Sequence, residues 1–210
     1  MATLFRDATL VDLDPPMVRQ GDLRQAEGRI VSTGRNLTLQ QDDEIVDCGG
    51  AVLMPGLVNG HTHLYSALAA GMPAPPRQPR NFLEILELIW WRLDLAHNLD
   101  SVAASGAIGA LAALRCGTTT LIDHHASPNC IAGSLSALEA GISSVGCRGV
   151  LCYEVTDRNR ETEAREGLKE TARYAEELAK QRACLYAVLV GALSENMEIH
   201  LGSFQLRKWS

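Results

Sequence analysis

The pattern of apolar and polar positions divides the chain into two parts with different periods. Over residues 3–47 short runs are separated by turn residues: Thr3–Val11, a loop holding Pro15 and Pro16, then Asp22–Ala26 and Arg29–Thr33 joined at Glu27-Gly28. Two short runs joined by two residues, the second a glycine that can take a positive φ, predict a β-hairpin. From Ala51 onward the pattern changes. Apolar runs near 52–58, 118–123, 148–153 and 185–190 predict strands, and helical spacing near 81–96, 100–115, 130–141 and 160–181 predicts helices between them. Strands alternating with helices mark a parallel sheet with crossover helices, so the expected class is α/β. The expected organisation is a small β region over 1–50, read as part of a β-sandwich, four β/α units over 51–192, and an irregular tail over 193–210.

The helix near 160–181 sets Leu168, Ala172, Ala175 and Leu178 on one face, with six glutamates between Glu161 and Glu177 among arginines and lysines. That charge pattern reads as a solvated outer surface. The segment Gly71–Pro79 is too rich in proline for regular structure and is either a lid over the strand ends or a plain connector.

The candidate chemistry lies at the end of the first long apolar run, Val52-Leu53-Met54-Pro55-Gly56-Leu57-Val58-Asn59-Gly60-His61-Thr62-His63. A lone histidine is usually satisfied by one hydrogen bond and does nothing more. Here two lie one residue apart at the carboxyl end of a strand, where the two-residue period puts His61 and His63 on one side and lets both grip one metal ion. Asp123, His124 and His125 end the second expected strand, where parallel barrels collect their active sites. They are either substrate contacts or a polar cluster bonded to neighbouring loops. Because alternate residues point opposite ways, at most one of His124 and His125 faces a pocket. Trp90 and its neighbour Trp91 either wall off an aromatic substrate or seal a core.

Composition narrows the partners. A net charge of −6 over 210 residues, with no basic stripe, argues against tracking of a phosphate backbone, so nucleic acid is not an expected partner. The first residues lack a basic and apolar leader, and the apolar stretch Ile85–Leu95 is interrupted by Glu87, Arg92 and Asp94 and too short to span a bilayer. No membrane association is expected, and the location read from these features is cytoplasmic. Six cysteines without a Cys-x-x-Cys pair indicate neither a zinc ribbon nor a redox motif.

The string PGLVNGHTHLYSAL resembles the first-strand signature of the amidohydrolase superfamily, in its cytosine/guanine deaminase and chlorohydrolase branch. The resemblance continues through Phe82–Glu87, Trp90–Asp94, Cys116–Thr120, Asp123–Pro128 and Arg148–Glu154, and is nearest to the SsnA-type aminohydrolases. It implies the first half of a (β/α)8 TIM-type barrel and a divalent metal ion, zinc ahead of iron, with His61 and His63 as ligands. It implies hydrolysis of carbon–nitrogen bonds other than peptide bonds, on a small amino- or chloro-substituted heterocycle or amidine. In the superfamily the remaining metal ligands and the acid/base glutamate come from the fifth, sixth and eighth strands, for which this sequence has no counterpart, so no catalytic residue is assigned. The likeness stops at Leu193, and His200 in the tail is not counted as a ligand. The expectation is an amino-terminal fragment, inactive alone, that self-associates through open sheet edges at 52–58 and 185–190. The rival reading is a non-catalytic half-barrel that serves in binding or assembly.

Overall fold

The computed structural model describes residues 2–180, 186–188 and 191–192. They form two compact units, Met1–Gly56 and Leu57–Ser210. The expected tail over 193–210, with His200, lies outside the described residues, as do parts of the run near 185–190.

The first unit is one five-stranded sheet. Its strands are β1 (Ala2–Leu13), β2 (Pro16–Ala26), β3 (Arg29–Gly34), β4 (Asp43–Asp47) and β5 (Val52–Leu53). β1 pairs antiparallel with β2, which pairs antiparallel with β3, while β4 and β5 both run parallel to β1. The predicted hairpin closes at Glu27 and Gly28, both at positive φ (52° and 74°), the combination that fits the twist of the flanking strands. Leu4, Ala8 and Leu10 are buried on one face of β1. Two buried charged residues tie the following loop to the sheet. The Asp22 carboxylate accepts the Asp7 and Leu37 amides at 3.0 and 2.8 Å, and Arg24 pairs with Asp43 at 2.7 Å.

Two differences from expectation have local causes. Pro16 opens β2 rather than sitting in a loop, which a proline can do at the first residue of a strand. The run expected as one strand over 52–58 is split at Pro55-Gly56. Its first half (β5) joins the sheet of the first unit and its second half begins the next, so the units divide after Gly56 and not after Gly50.

The second unit is a parallel α/β layer. Its strands are β6 (Leu57–Thr62), β7 (Thr118–His125), β8 (Arg148–Val155), β9 (Tyr186–Val188) and β10 (Gly191–Ala192). β7 lies between β6 and β8, and β9 and β10 both pair with β8, every pairing being parallel. Among the described residues the sheet is open: a partial barrel whose β6 pairs only with β7. After β6 come a 3-10 turn over Leu64–Gly71, α1 (Phe82–Ile85), a π turn over Leu86–Trp90 and α2 (Trp91–Ala96). The crossover helices are α3 (Leu99–Arg115), α4 (Ser134–Ser144) and α5 (Glu161–Lys180). Asn98 and Ser101 form a reciprocal capping box at the start of α3. The start of α4 has no cap of its own. Glu170 of α5 supplies one, accepting the Gly133 and Leu135 amides at 3.0 and 3.1 Å, and is itself held by Arg173.

The core sits between the sheet and these helices: Leu121 of β7 and Leu151 and Tyr153 of β8 pack with Val102, Ala110, Leu135, Leu138, Ile142 and Tyr174. Strand alternation therefore turns Leu121, Asp123 and His125 towards the helices, and Ile122 and His124 to the opposite, more open face. α3 and α4 cross so closely that a Cβ at Gly141 would lie 2.1 Å from the Ala103 carbonyl oxygen and 2.9 Å from the Ala107 nitrogen. Both obstacles are backbone and cannot swing aside. Gly141→Ala is expected to destabilise the fold by about 1–3 kcal/mol through overpacking, read as a lower urea midpoint at unchanged slope. Gly71→Ala, where an added Cβ meets nothing within 4 Å, should change stability by less than about 0.5 kcal/mol.

Candidate metal centre

The site is built at the carboxyl ends of β6 and β7. In β6 the pairing runs Leu57 to Thr118, Val58 to Thr120 and Asn59 to Leu121, then slips so that Thr62 meets Asp123. The slip falls at Gly60-His61, so the chain bulges where the first histidine stands, and the Asn59 carboxamide bonds the His61 amide across it at 3.2 Å. The outcome is a close pair of imidazoles: His61 Nε2 and His63 Nε2 are 3.1 Å apart, with the rings edge to face at 84°.

A third contact fixes the proton on one ring. His63 Nδ1 lies 2.9 Å from the main-chain carbonyl oxygen of His124. A carbonyl oxygen only accepts, so Nδ1 carries the hydrogen, and in the neutral ring Nε2 presents its lone pair. This is the arrangement by which second-sphere acceptors orient metal-bound histidines. The spacing also fits: with metal–nitrogen bonds of about 2.0–2.1 Å, nitrogens 3.1 Å apart subtend an angle of about 98° at the ion, between the octahedral and tetrahedral values. No set of three or more His, Cys, Asp or Glu converges to hold a metal among the described residues. The pair is thus a two-nitrogen donor set.

The other candidate residues separate onto two faces of β7. The His124 ring lies on the histidine side, with centroids 5.7 Å from His61 and 6.1 Å from His63. Burial and the two neighbouring histidines hold its pKa below the usual value. Trp90 ends the π turn and sets its ring edge to face with His63 at 5.5 Å and with Tyr65 at 5.9 Å. Asp123 and His125 are fully buried on the helix side instead. His125 Nε2 bonds the Ser127 hydroxyl at 2.9 Å, its ring lies between Tyr65 and Tyr153, and burial pushes its pKa down to about 3. Asp123 accepts the Leu64 amide at 2.6 Å, and burial pushes its carboxyl up to about 7 against the pull of that one bond. His61, His63, His124 and Trp90 are therefore brought together, while Asp123 and His125 stand behind the strand.

Several site neighbours were not anticipated from the sequence. Tyr65, two residues past His63, contacts His63, Trp90, His97 and His125 and forms the hub of this ring cluster. Its backbone carbonyl accepts from His97 Nε2 at 3.0 Å. Beyond it is a buried ionic group: Asp94 accepts from Arg158 at 2.6 Å, Arg158 reaches Glu154 at 3.8 Å, and its guanidinium lies 4.9 Å from the Trp91 ring centre. Burial raises Asp94 to about 6, outweighing the pull of Arg158, and raises Glu154 as well. Glu154 is the penultimate residue of β8, two residues beyond Cys152, the partner of His124, so the strand-end rule that singled out Asp123 and the histidines points to it too.

Comparison with known proteins identifies the family and the fold. The Amidohydrolase family profile matches residues 52–192. This chain belongs to the amidohydrolase family. A 5-methylthioadenosine/S-adenosylhomocysteine deaminase of Moorella thermoacetica is 31% identical over 160 residues, which is 75% of this chain and 36% of that protein. Among solved structures, a triazine hydrolase from Arthrobacter aurescens superposes with a TM-score of 0.70 at 20% identity, over 91% of this chain and 46% of that one. The atrazine chlorohydrolase TrzN of Arthrobacter aurescens TC1, complexed with zinc, gives 0.64 at 20% identity, over 90% and 46%. At such identity the structural likeness shows the fold, a partial amidohydrolase barrel. The amidohydrolase chain described here spans little more than a third of the Moorella relative and under half of these solved chains. No helix among the described residues is long and apolar enough to cross a membrane.

The buried carboxylate gives the domain a signed pH dependence. Asp123 titrates near its ordinary value, about 3.9, when the chain is unfolded and at about 7 when it is folded. The folded state then binds the proton more tightly, so stability is full below about pH 4, falls as pH rises towards 7, and is flat above. Asp123→Asn removes the titration. Between pH 5 and pH 8 the wild type should lose about 2–3 kcal/mol relative to the Asn variant, measured by urea denaturation at each pH. An unchanging gap would contradict the account.

Proposed function

We propose that this chain carries the metal-binding strand end of a metal-dependent amidohydrolase acting on carbon–nitrogen bonds in a small amino- or chloro-substituted heterocycle or amidine. The observation that supports this best is the pair of Nε2 atoms 3.1 Å apart, with the His63 lone pair directed by the His124 carbonyl. His61 and His63 would be the metal ligands, and a bound divalent ion supplies a nucleophile stronger than neutral water. Zinc is taken ahead of iron, since two imidazoles suit either ion and the TrzN relative carries zinc. A deaminase substrate has precedent in the Moorella relative and a chloro-substituted one in TrzN.

In this reading Trp90 and His124 line the substrate side, where a flat ring can stack on the indole and meet a neutral imidazole. Asp123 and His125 take no substrate, since both are enclosed between β7 and the helices. A reducing, cytoplasmic setting is in keeping with the free thiols Cys48, Cys116 and Cys130.

Two nitrogen donors leave most of the coordination sphere to water, so metal binding by the 210-residue chain should be weak. Titration with Co2+ followed by its visible absorption should show weak binding that His61→Ala with His63→Ala abolishes. Tight metal that survives dialysis against a chelator would show that further ligands exist. The same chain should turn over neither a 6-aminopurine nucleoside nor a chlorotriazine, because a hydrolase of this kind needs more ligands and a placed acid/base group acting as a unit. Histidine-dependent turnover would refute that.

The open edge also bears on assembly. β6 exposes Leu57 and Val58 at 52% and 62%, and its outer backbone groups have no strand partner among the described residues. Self-association of the isolated chain at micromolar concentration is expected by light scattering. A stable monomer would count against it.

A further inference from the structure

We propose that Asp123 is a positioning residue for the histidine pair: by holding the Leu64 amide it locks the end of β6 onto β7 and thereby keeps His63 in the tautomer that turns Nε2 outward. The inference rests on the metal reading of His61 and His63, and gives Asp123 a role other than substrate contact.

The strand ladder does not by itself fix the histidine-bearing end. The β6–β7 pairing slips between Asn59 and Thr62, and β6 ends at Thr62, one residue before His63. Two bonds bridge that gap, and both acceptors are on consecutive residues of β7. The Asp123 Oδ1 atom accepts the Leu64 amide at 2.6 Å, and the His124 carbonyl accepts His63 Nδ1–H at 2.9 Å. They grip adjacent residues, one through a side chain on the helix side of β7 and the other through the β7 main chain. If the Leu64 amide is released, the main chain at His63 can rotate, and the ring is free to leave the His124 carbonyl.

The setting of Asp123 fits this role. It is fully buried, its second oxygen finds no hydrogen-bond partner among the described residues, and Leu121 and Leu64 nearby belong to the apolar core. A leucine would pack in such a place without the cost of desolvating a carboxyl group. What a leucine lacks is an acceptor for Leu64, which opens the 3-10 turn after His63 without any side-chain cap from His63 itself. Asp123 provides that acceptor from the neighbouring strand.

The test uses the full chain labelled with 15N-histidine, together with Asp123→Asn, which keeps an oxygen acceptor, and Asp123→Ala, which does not. Metal-free NMR reads the His63 tautomer, and Co2+ titration reads affinity. We expect wild type and Asp123→Asn to show His63 protonated at Nδ1 and to bind Co2+ within about threefold of each other. Asp123→Ala should show mixed tautomers and bind about 10- to 100-fold more weakly, the usual loss when an outer partner of a metal histidine is removed. Glu170→Ala removes another buried carboxylate that caps amides in the same unit, and should leave both readouts unchanged. If Asp123→Ala does not fold, Asp123→Leu fills the space without an acceptor and decides the point. Retention of the Nδ1–H tautomer and wild-type affinity in a folded Ala or Leu variant would overturn the proposal, as would an equal loss in Glu170→Ala. If wild type shows no histidine-dependent Co2+ binding, the metal reading fails, while the tautomer comparison still decides whether Asp123 positions His63.

Discussion

The hydrogen bond from His63 Nδ1 to the His124 carbonyl is the constraint on which the site depends. Two neutral imidazoles whose Nε2 atoms approach to 3.1 Å have two ways to avoid lone-pair repulsion: one donates a proton to the other, or both face a cation. With the His63 proton committed to a backbone carbonyl, its Nε2 is an acceptor, and the pair can take a metal once His61 gives up its own Nε2 proton. The acceptor is main chain, so its position follows from the β7 ladder. That ladder is held by regular pairing with β8 from Thr120 to His125 and by the packing of Leu121 against α3 and α4.

β7 sorts its polar residues by face, and the two faces have different physics. On the helix side Asp123 and His125 are wholly desolvated, so both favour their neutral forms, and each is held by a single bond to a neighbour. On the other side His124 shares a half-open space with His61, His63 and Trp90, where a charged or polar ligand can still be hydrated as it arrives. One strand thus carries a buried polar face and a half-open one, separated by the thickness of a backbone. The ionic group of Asp94, Arg158 and Glu154 adds a third setting in which burial and pairing compete. For both carboxylates burial wins.

Membership of the amidohydrolase family accounts for the parallel α/β architecture, and among the described residues the two histidine nitrogens are joined by no third metal-type ligand. The matched segment spans β5 to β10, and the relatives with which it aligns extend well beyond the aligned stretch. A catalytic metal site needs more ligands than one strand end can offer, because residues i and i+2 place only two donors on one side of a strand. Further donors must come from other strand ends, which is the reason such sites form at the mouth of a barrel.

What the sequence determined by itself was periodic or local. The change of period near Ala51, the hairpin at Glu27-Gly28, the helices that became α3 and α5, and the i, i+2 histidine pair all follow from spacing along one segment. Alternation also required that His124 and His125 part company, and it left open which of them would face the histidine pair. The tertiary structure decided what depends on contacts between distant segments. Packing of Leu121 against α3 and α4 set which face of β7 is inside, and so sent Asp123 and His125 to the support side and His124 to the site. The π turn that aims Trp90 at His63, the 3-10 turn that buries Tyr65, and the pairing of Asp94 with Arg158, 64 residues later, have no short-range signature. A side chain's period is written in its own segment, but its partner and its proton are set by whatever the fold places opposite it.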